Sequence, residues 1–443
     1  MTAGDDEVGS APVENGQAAP LQATADSNEV VPLNFRGMEV LAPMVRAGTP
    51  ALRWECLRYG ADLVWGEEII DRKIIGCLRV ENPAFGLVDY VSPRERVCVF
   101  STKPEEKPKL IFQLGTASAA LASEAALTVC RDVRGFDINM GCPKSFSVKG
   151  GMGAALLEKP EVACDILKTL RRNLPLSCSL TCKIRMLSST EKTRDFMRMC
   201  EASGAEAITV HMRRREERPA EPAHWDEIVR LWDAVKVPVI ANGDFFTRRQ
   251  IDEYWKHIKK AIPQPGAEEC DEVNRHAGPV AVMVARGALW NPSIFCRTGE
   301  PPPFEEVVRK YTQAAVAANA TFQNCKWVLS QVMAGGIGVT PPSAFGGVPM
   351  KTFNRQVSGA RTMGAICELL GVPHQAADWP PKAHMTTFYR DGAGKAAFEA
   401  AGGGIEIADA GPNGEGDDEA VAAEPAMDGV GDGGAAKRAR LAA

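Results

Sequence analysis

Cys142 has the greatest chemical promise in this chain. It lies in Asp137-Ile-Asn-Met-Gly-Cys-Pro, between a glycine and a proline at the end of an apolar run. A thiol of ordinary pKa, about 8.5, is mostly protonated at neutral pH and can donate a proton to a developing carbanion. The segment that follows carries Gly150, Gly151 and Gly153, as a lid or substrate-gripping loop would. A cysteine can also be no more than a small hydrophobe, and this is one of thirteen, but its place beside a glycine loop favours chemistry. Other short runs end in ligand-binding types: Gln113, Asn139, Lys183 with Arg185, and His211. Asn242-Gly243-Asp244 and Ala285-Arg286-Gly287 close two more. Singly, each has a plain reading: an exposed strand-end lysine, a satisfied buried histidine, a turn.

They acquire meaning if one fold brings them together. Eight short, nearly continuous apolar runs begin near residues 39, 62, 109, 136, 180, 207, 237 and 280. Between them lie segments such as PEVACDILKTLRRN and TRDFMRMCEASG, with apolar residues at helical spacing and several terminal glycines. Buried parallel strands alternating with helices predict a (β/α)8 TIM barrel over residues 36–300. An open doubly wound sheet fits less well, because Ala42-Pro-Met-Val-Arg-Ala-Gly-Thr is not a GxGxxG turn. Residues 301–372 show helical spacing and no strand pattern, and are expected to form a small all-helical domain.

In such a barrel the polar residues at strand C-termini point into the site. Gln, Asn, Lys and His at one mouth suit the rim of a flavin or another heteroaromatic carbonyl compound. Glycine-bearing turns after the seventh and eighth strands suit a phosphate, and the two together are what FMN needs.

Composition narrows the setting. The chain has 443 residues, 45% hydrophobic and 24% charged, with no apolar run long enough to span a membrane. Scattered cysteines without a CxxC pair, and no signal-peptide pattern, predict reduced thiols, no metal site and a cytoplasmic protein. The cluster Lys437–Arg440 could serve as a nuclear signal or simply balance its acidic neighbours. Residues 1–35 and 373–443 are expected to be, respectively, an acidic disordered tail and a linker followed by another. The net charge of −5 hides a basic body, since residues 1–30 hold six acids and no base, and 404–443 nine acids and three bases. A basic body suits a polyanionic partner without proving one.

The blocks LAPMVRAGTPALR, FQLGT, DINMGCPKSFSVKGGMGAALL, TCKIR, ITVHMRRREERPAE, PVIANGD and VMVARGALWNPSIF resemble, in order, those of the tRNA-dihydrouridine synthases, most closely the eukaryotic type acting at position 20 of the D-loop. The resemblance implies reduction of the uracil 5,6 double bond in tRNA, with hydride passing from reduced FMN to C6, a proton from Cys142 to C5, and NADPH restoring the flavin. It places Pro43, Met44, Val45, Glu68, Gln113, Lys183 and His211 against the flavin ring and ribityl chain. Asn242, Gly243, Asp244, Ala285 and Arg286 would hold the phosphate. The helical domain would help bind tRNA, and the chain would act as a monomer without membrane or metal. Arg213-Arg214-Arg215 with Arg218 could touch RNA phosphate near the mouth, or form a solvated loop interrupted by Glu216 and Glu217. The animal members' double-stranded-RNA-binding module has no counterpart in residues 372–402. Two rivals remain open: a flavin-barrel reductase of a free small molecule, and a catalytically silent tRNA-binding protein.

Overall fold

The computed structural model describes residues 33–262, 278–333, 335, 340–373, 389 and 394–403. Among the described residues eleven strands run from Glu39 to Val284: β1 Glu39–Leu41, β2 Leu63–Ile70, β3 Leu78–Asn82, β4 Leu87–Val91, β5 Cys98–Thr102, β6 Leu110–Gly115, β7 Gly135–Met140, β8 Ser179–Met186, β9 Ala207–Arg214, β10 Val239–Asn242 and β11 Val280–Val284. Eight of them close a parallel barrel in the order β1-β11-β10-β9-β8-β7-β6-β2, the TIM barrel that the apolar runs predict. The helices Ala119–Val129, Pro160–Asn173, Thr190–Ala202 and Arg248–Ala261 each bury one apolar stripe. The segment Trp225–Ala234, whose apolar residues also fall at helical spacing, forms three short helical turns and not one helix.

Side chains on a strand alternate between faces, so residues two apart share one. Phe35, Val40, Leu63, Trp65, Ile111, Ala207, Ile240, Ala281 and Met283 form a buried cluster of their own, spaced by two on each strand that contributes more than one. This is the barrel's apolar interior, and Phe35, fully buried, belongs to it rather than to a tail. Toward the strand C-termini the same inward positions turn polar: Gln113 follows Ile111, and Thr209, His211 and Arg213 follow Ala207. The barrel is therefore packed below and chemically equipped above.

The sequence reading missed an antiparallel sheet, β3-β4-β5, inserted after β2. Its hairpin turns at Gly86, in the left-handed region at φ 63°. Tyr389 and Phe398, assigned to a linker and tail, pack on Val80 and Val91 of that sheet. Tyr389 donates its hydroxyl hydrogen to buried Asp89.

Beyond the barrel lie the helices Phe304–Ala317, Phe322–Met333, Met350–Gly359 and Met363–Leu370. Asn319, left-handed at φ 50°, breaks the first pair, and Thr362 caps the last by accepting from the Ala365 amide. A two-residue ladder, Ser343–Ala344 with Val348–Pro349, interrupts what was expected to be purely helical. Residues 1–32 and 404–443, including Lys437–Arg440, lie outside the described residues. Among the described residues no helix is long and apolar enough to cross a membrane, and twelve cysteines are unpaired.

Candidate active site

Three registers place the inward polar residues on neighbouring strands. Gln113 pairs with Asp137 and Asp137 with Thr181. Asn139 pairs with Lys183, and Lys183 with Thr209. Arg185 pairs with His211, and His211 with Asn242. The barrel closure thus brings together residues spread over 130 positions of chain.

Cys142 leaves the top of β7 under control of its own strand. Asn139 Oδ1 accepts from the amides of Gly141 at 3.0 Å and Cys142 at 3.1 Å. A Cβ on Gly153 would lie 2.4 Å from Ser147 Oγ and 3.0 Å from Cys142 Cβ, so only glycine lets that loop close over the cysteine. Burial pushes the Cys142 thiol up, against the lowering influence of the Lys144 amide, and the nearby Glu68 carboxylate adds to the rise. The thiol therefore stays protonated at neutral pH.

Glu68, at a bulge in β2, has its own pKa raised by burial, opposed by a hydrogen bond from the Asn139 side chain and by the Lys183 charge. Its Oε1 is buried without a hydrogen-bond partner, and a Cβ on Gly115 would lie 2.8 Å from it. Lys183 is pushed down to about 8, first by burial and then by Arg185, while Asp137, Cys142 and Glu68 pull the other way. It keeps its charge at neutral pH. Gln113 Nε2 donates to Asp137 Oδ2 at 2.7 Å, and Thr181 Oγ1 donates to Asp137 Oδ1 at 2.7 Å. Burial raises Asp137 to about 6. Pro43 and Met44 are half-buried and Val45 exposed in the turn after β1, at the same end of the barrel.

A second group lines a cleft of about 120 Å³ that includes Arg185, His211, Arg213, Asn242, Phe246 and Arg286. Arg213, read from sequence either as a phosphate contact near the mouth or as part of a solvated loop, is 2% exposed and bonds Asp244 Oδ2 at 2.5 Å. The reason is that β9 continues past His211 to Arg214, which carries position 213 inward. The rest of that loop is engaged as well: Arg214 with Glu217, Arg215 with Glu158, and Arg218 with backbone carbonyls. Arg286 reaches Asp244 Oδ1 at 3.1 Å and stacks 4.8 Å from the Phe246 ring centroid. Asn242 Nδ2 donates to the Met283 carbonyl at 2.8 Å, and Gly243, at φ 130°, passes so close to Ala223 that a Cβ would sit 2.8 Å from it. Ala285 precedes a helix of only five residues, Arg286–Trp290, so the cleft's attraction for anions rests on three guanidinium groups facing one carboxylate.

His211 sits beneath these cations. Burial, then Lys183, Arg185, Arg213 and Arg286, push its pKa well below the ordinary value. Arg213 Nη1 lies 3.3 Å from His211 Nε2. A guanidinium only donates, so Nε2 accepts and the neutral ring carries its proton on Nδ1.

Of the residues singled out from sequence, the structure gathers His211, Asn242, Gly243, Asp244, Ala285 and Arg286 around the cleft. Glu68, Asn139, Cys142 and Lys183 form a second, electrostatically linked group. Sequence reading missed Asp137 and left Arg213 between two readings; the spacing Ala207, Thr209, His211, Arg213 was the signal for its inward place.

The sequence profile of the dihydrouridine synthase family matches residues 40–332. The chain is 38% identical over 322 residues to the Saccharomyces cerevisiae tRNA-dihydrouridine(20) synthase [NAD(P)+], covering 68% of this chain and 79% of that one. It is 36% identical over 312 residues to the Schizosaccharomyces pombe protein of the same name, with 68% and 61% covered. The human tRNA-dihydrouridine(20a/20b) synthase [NAD(P)+]-like protein is 33% identical over 267 residues, with 60% and 73% covered.

Proposed function

The chain belongs to the dihydrouridine synthase family, and on that premise we propose how its barrel mouth carries out the reduction of uridine to dihydrouridine in tRNA. The enzyme is an oxidoreductase that draws on NAD(P)H. The finer reading is that NADPH is the reductant, FMN the bound cofactor and the D-loop the target.

The residues present fit FMN. A phosphate suits the cleft in which Arg185, Arg213 and Arg286 outnumber Asp244, and the orphaned Glu68 Oε1 marks a polar position at the mouth that awaits a donor. When bound, FMN supplies the hydride that adds to C6 of the uracil. Arg185, Arg213 and Arg286 hold the phosphate, with Asn242, Gly243 and Ala285 shaping the cradle and the Asp244 carboxylate fixing two of the guanidinium groups. Pro43, Met44, Val45, Glu68, Gln113 and His211 border the ring. The Lys183 ammonium stabilises negative charge on an adjacent carbonyl or ring edge.

Cys142 completes the addition. Its Sγ–H gives a proton to C5, the carbon that becomes enolate-like once hydride reaches C6, and the thiolate left behind regains a proton from water. Burial, which favours the neutral thiol, keeps the proton in place until it is needed. The observation that carries this reading is the joint placement of Cys142 and Lys183. Asn139 pins the backbone of one and is the strand neighbour of the other.

For tRNA, residues 307–367 contain Arg309, Lys310, Lys326, Lys351, Arg355 and Arg361 and no Asp or Glu. Lys351, Arg355 and Arg361 are exposed. The excess of basic over acidic residues along this stretch supports a phosphate backbone as partner rather than a free small molecule.

The test is to map dihydrouridine in tRNA from cells lacking the protein, alongside the absorption spectrum of the purified chain. Loss of D-loop dihydrouridine and a yellow, FMN-type spectrum are expected. A full set of tRNA dihydrouridines in the deletion strain would overturn the substrate, and a colourless protein that takes up no added flavin would overturn the cofactor.

A further inference from the structure

Arg46 follows Val45 in the turn that leaves β1 at the barrel mouth. Its backbone is left-handed, φ 68°, a conformation that costs a non-glycine residue roughly 1–2 kcal/mol. Three attachments hold it there. The Arg46 amide donates to Glu67 Oε1 at 2.5 Å, and the Arg46 carbonyl accepts from Asn324 Nδ2 at 2.7 Å. The turn itself closes through Gly48, whose amide donates to the Met44 carbonyl at 2.7 Å. Gly48 lies flat on β2, where a Cβ would be 2.8 Å from the Glu67 nitrogen. Asn324 belongs to the helix Phe322–Met333, so the turn is clasped between barrel and helical segment.

The side chain contrasts with its backbone. It is exposed, and apart from the Coulomb attraction of Glu67 it has no hydrogen bond or ion pair among the described residues. Arg185, Arg213, Arg215 and Arg286, also near the mouth, are all engaged. A turn that needed only left-handed geometry would be better served by Gly or Asn. Strain kept in place by three attachments, beneath an unengaged cation, is the mark of a functional position.

Resting on the tRNA reading above, we propose that Arg46 is a substrate-contacting residue whose guanidinium meets a tRNA phosphate at the mouth, and that Glu67 and Asn324 are positioning residues that aim it. The clasp also makes this grip depend on the helical segment, since Asn324 reaches the RNA only through Arg46.

The test uses full-length protein with Arg46→Gly, Arg46→Asn and Arg46→Lys, measuring affinity for unmodified tRNA over a KCl series, together with melting temperature. Gly and Asn should melt at or above the wild-type temperature yet bind tRNA roughly tenfold more weakly, the worth of one charged hydrogen bond. Their log–log salt slope should shrink by about 0.7–0.9, the share of one phosphate. Lys should keep most of the affinity. Asn324→Ala should weaken binding in the wild-type background and cost nothing further in Arg46→Gly, a non-additivity that a merely structural role would not give. Wild-type affinity and slope in Arg46→Gly would overturn the proposal, as would additive losses in the double variant. Failure of the wild type itself to bind tRNA would overturn the tRNA reading instead.

Discussion

Asn139 and Cys142 are joined side chain to backbone: the Asn139 Oδ1 accepts from the Cys142 amide at 3.1 Å while the same oxygen takes the Gly141 amide at 3.0 Å. The cysteine is thereby held from the strand side, while the loop that follows holds its other end through the Ala154 amide, which donates to the Cys142 carbonyl at 2.9 Å. Asn139→Ala should lose both bonds, lowering stability by about 2 kcal/mol and slowing tRNA reduction, as read by denaturant melts and by dihydrouridine formed per minute. Asn139→Asp can accept the same two amides but sets a carboxylate against Glu68. Activity restored by Asp to the wild-type level would mean that the Asn139–Glu68 bond is irrelevant.

Cys142 as acid predicts a defect confined to the uracil. Cys142→Ala should retain its FMN, because Cys142 forms no part of the cationic cleft. Oxidation of the reduced enzyme by unmodified tRNA should slow by roughly 10²–10⁴-fold, the usual worth of a positioned general acid. A packing role for Cys142 would give the opposite pattern, a less stable protein with normal turnover per folded molecule. Single-turnover measurements separate the two, and a near wild-type rate removes Cys142 from the mechanism.

The barrel was legible because each of its eight strands is a short apolar run, and burial on both faces requires that composition. Strand-end logic then found Gln113, Lys183 and His211 without any structure. It left Arg213 undecided between a phosphate contact and a solvated loop, because His211 reads as the last residue of its strand, whereas β9 runs to Arg214. Asp137 was invisible for a different reason: a buried carboxylate is recognised only by its partners, Gln113 and Thr181, which lie on other strands. The β3–β5 insertion escaped because β3 and β5 are partly exposed and β4, though buried throughout, carries Asp89 at its centre, so none of the three reads as a continuous apolar run. Phe35 escaped because a single apolar residue after an acidic stretch gives no periodicity at all.

Lys183 should set an alkaline limit. Its folded pKa, about 8, lies below the ordinary 10.5, so its charge is lost as pH rises through about 8. The rate of tRNA reduction should fall over that range. Lys183→Arg, which does not discharge there, should abolish the limb even if it is slower throughout. Lys183→Met should be slow at every pH and bind flavin more weakly. Stability moves oppositely: between about 8 and 10.5 the unfolded chain holds a proton that the folded one has released, so the wild type should gain on Lys183→Met as pH rises. A limb unchanged in Lys183→Arg would assign it to another group.

His211 carries the acid-side signature. The folded protein keeps it neutral under pressure from burial and from Lys183, Arg185, Arg213 and Arg286, while the unfolded chain protonates it below about 6.5. Its contribution to stability is therefore intact above that pH and is lost as pH falls through it. Asp137 titrates with the opposite sign nearby, since burial raises it to about 6 and the folded state takes up its proton first. Wild-type melting alone would mix the two. The difference in melting temperature between wild type and His211→Gln isolates the histidine and should shrink or reverse between pH 7 and pH 5. A pH-independent difference would mean that the ring is not held neutral.

The tRNA grip should reside in the basic body and not in the ends of the chain. Removing residues 1–30 and 404–443 takes away fifteen acids and only three bases, so affinity should hold or rise slightly. Replacing Lys351, Arg355 and Arg361 together by Ala should do the reverse. These three are exposed in a stretch without a single acid, and helix Met350–Gly359 buries Met350, Phe353 and Val357 instead, so the fold should survive their replacement. Each phosphate left without its cation should reduce the log–log salt slope by about 0.7–0.9, and three would reduce it by about 2–3. Binding should weaken similarly for every tRNA tested, because phosphate contacts carry no sequence information. A triple variant with wild-type slope would move the RNA path off this helix, and weakened binding after trimming residues 404–443 would assign a grip to Lys437–Arg440.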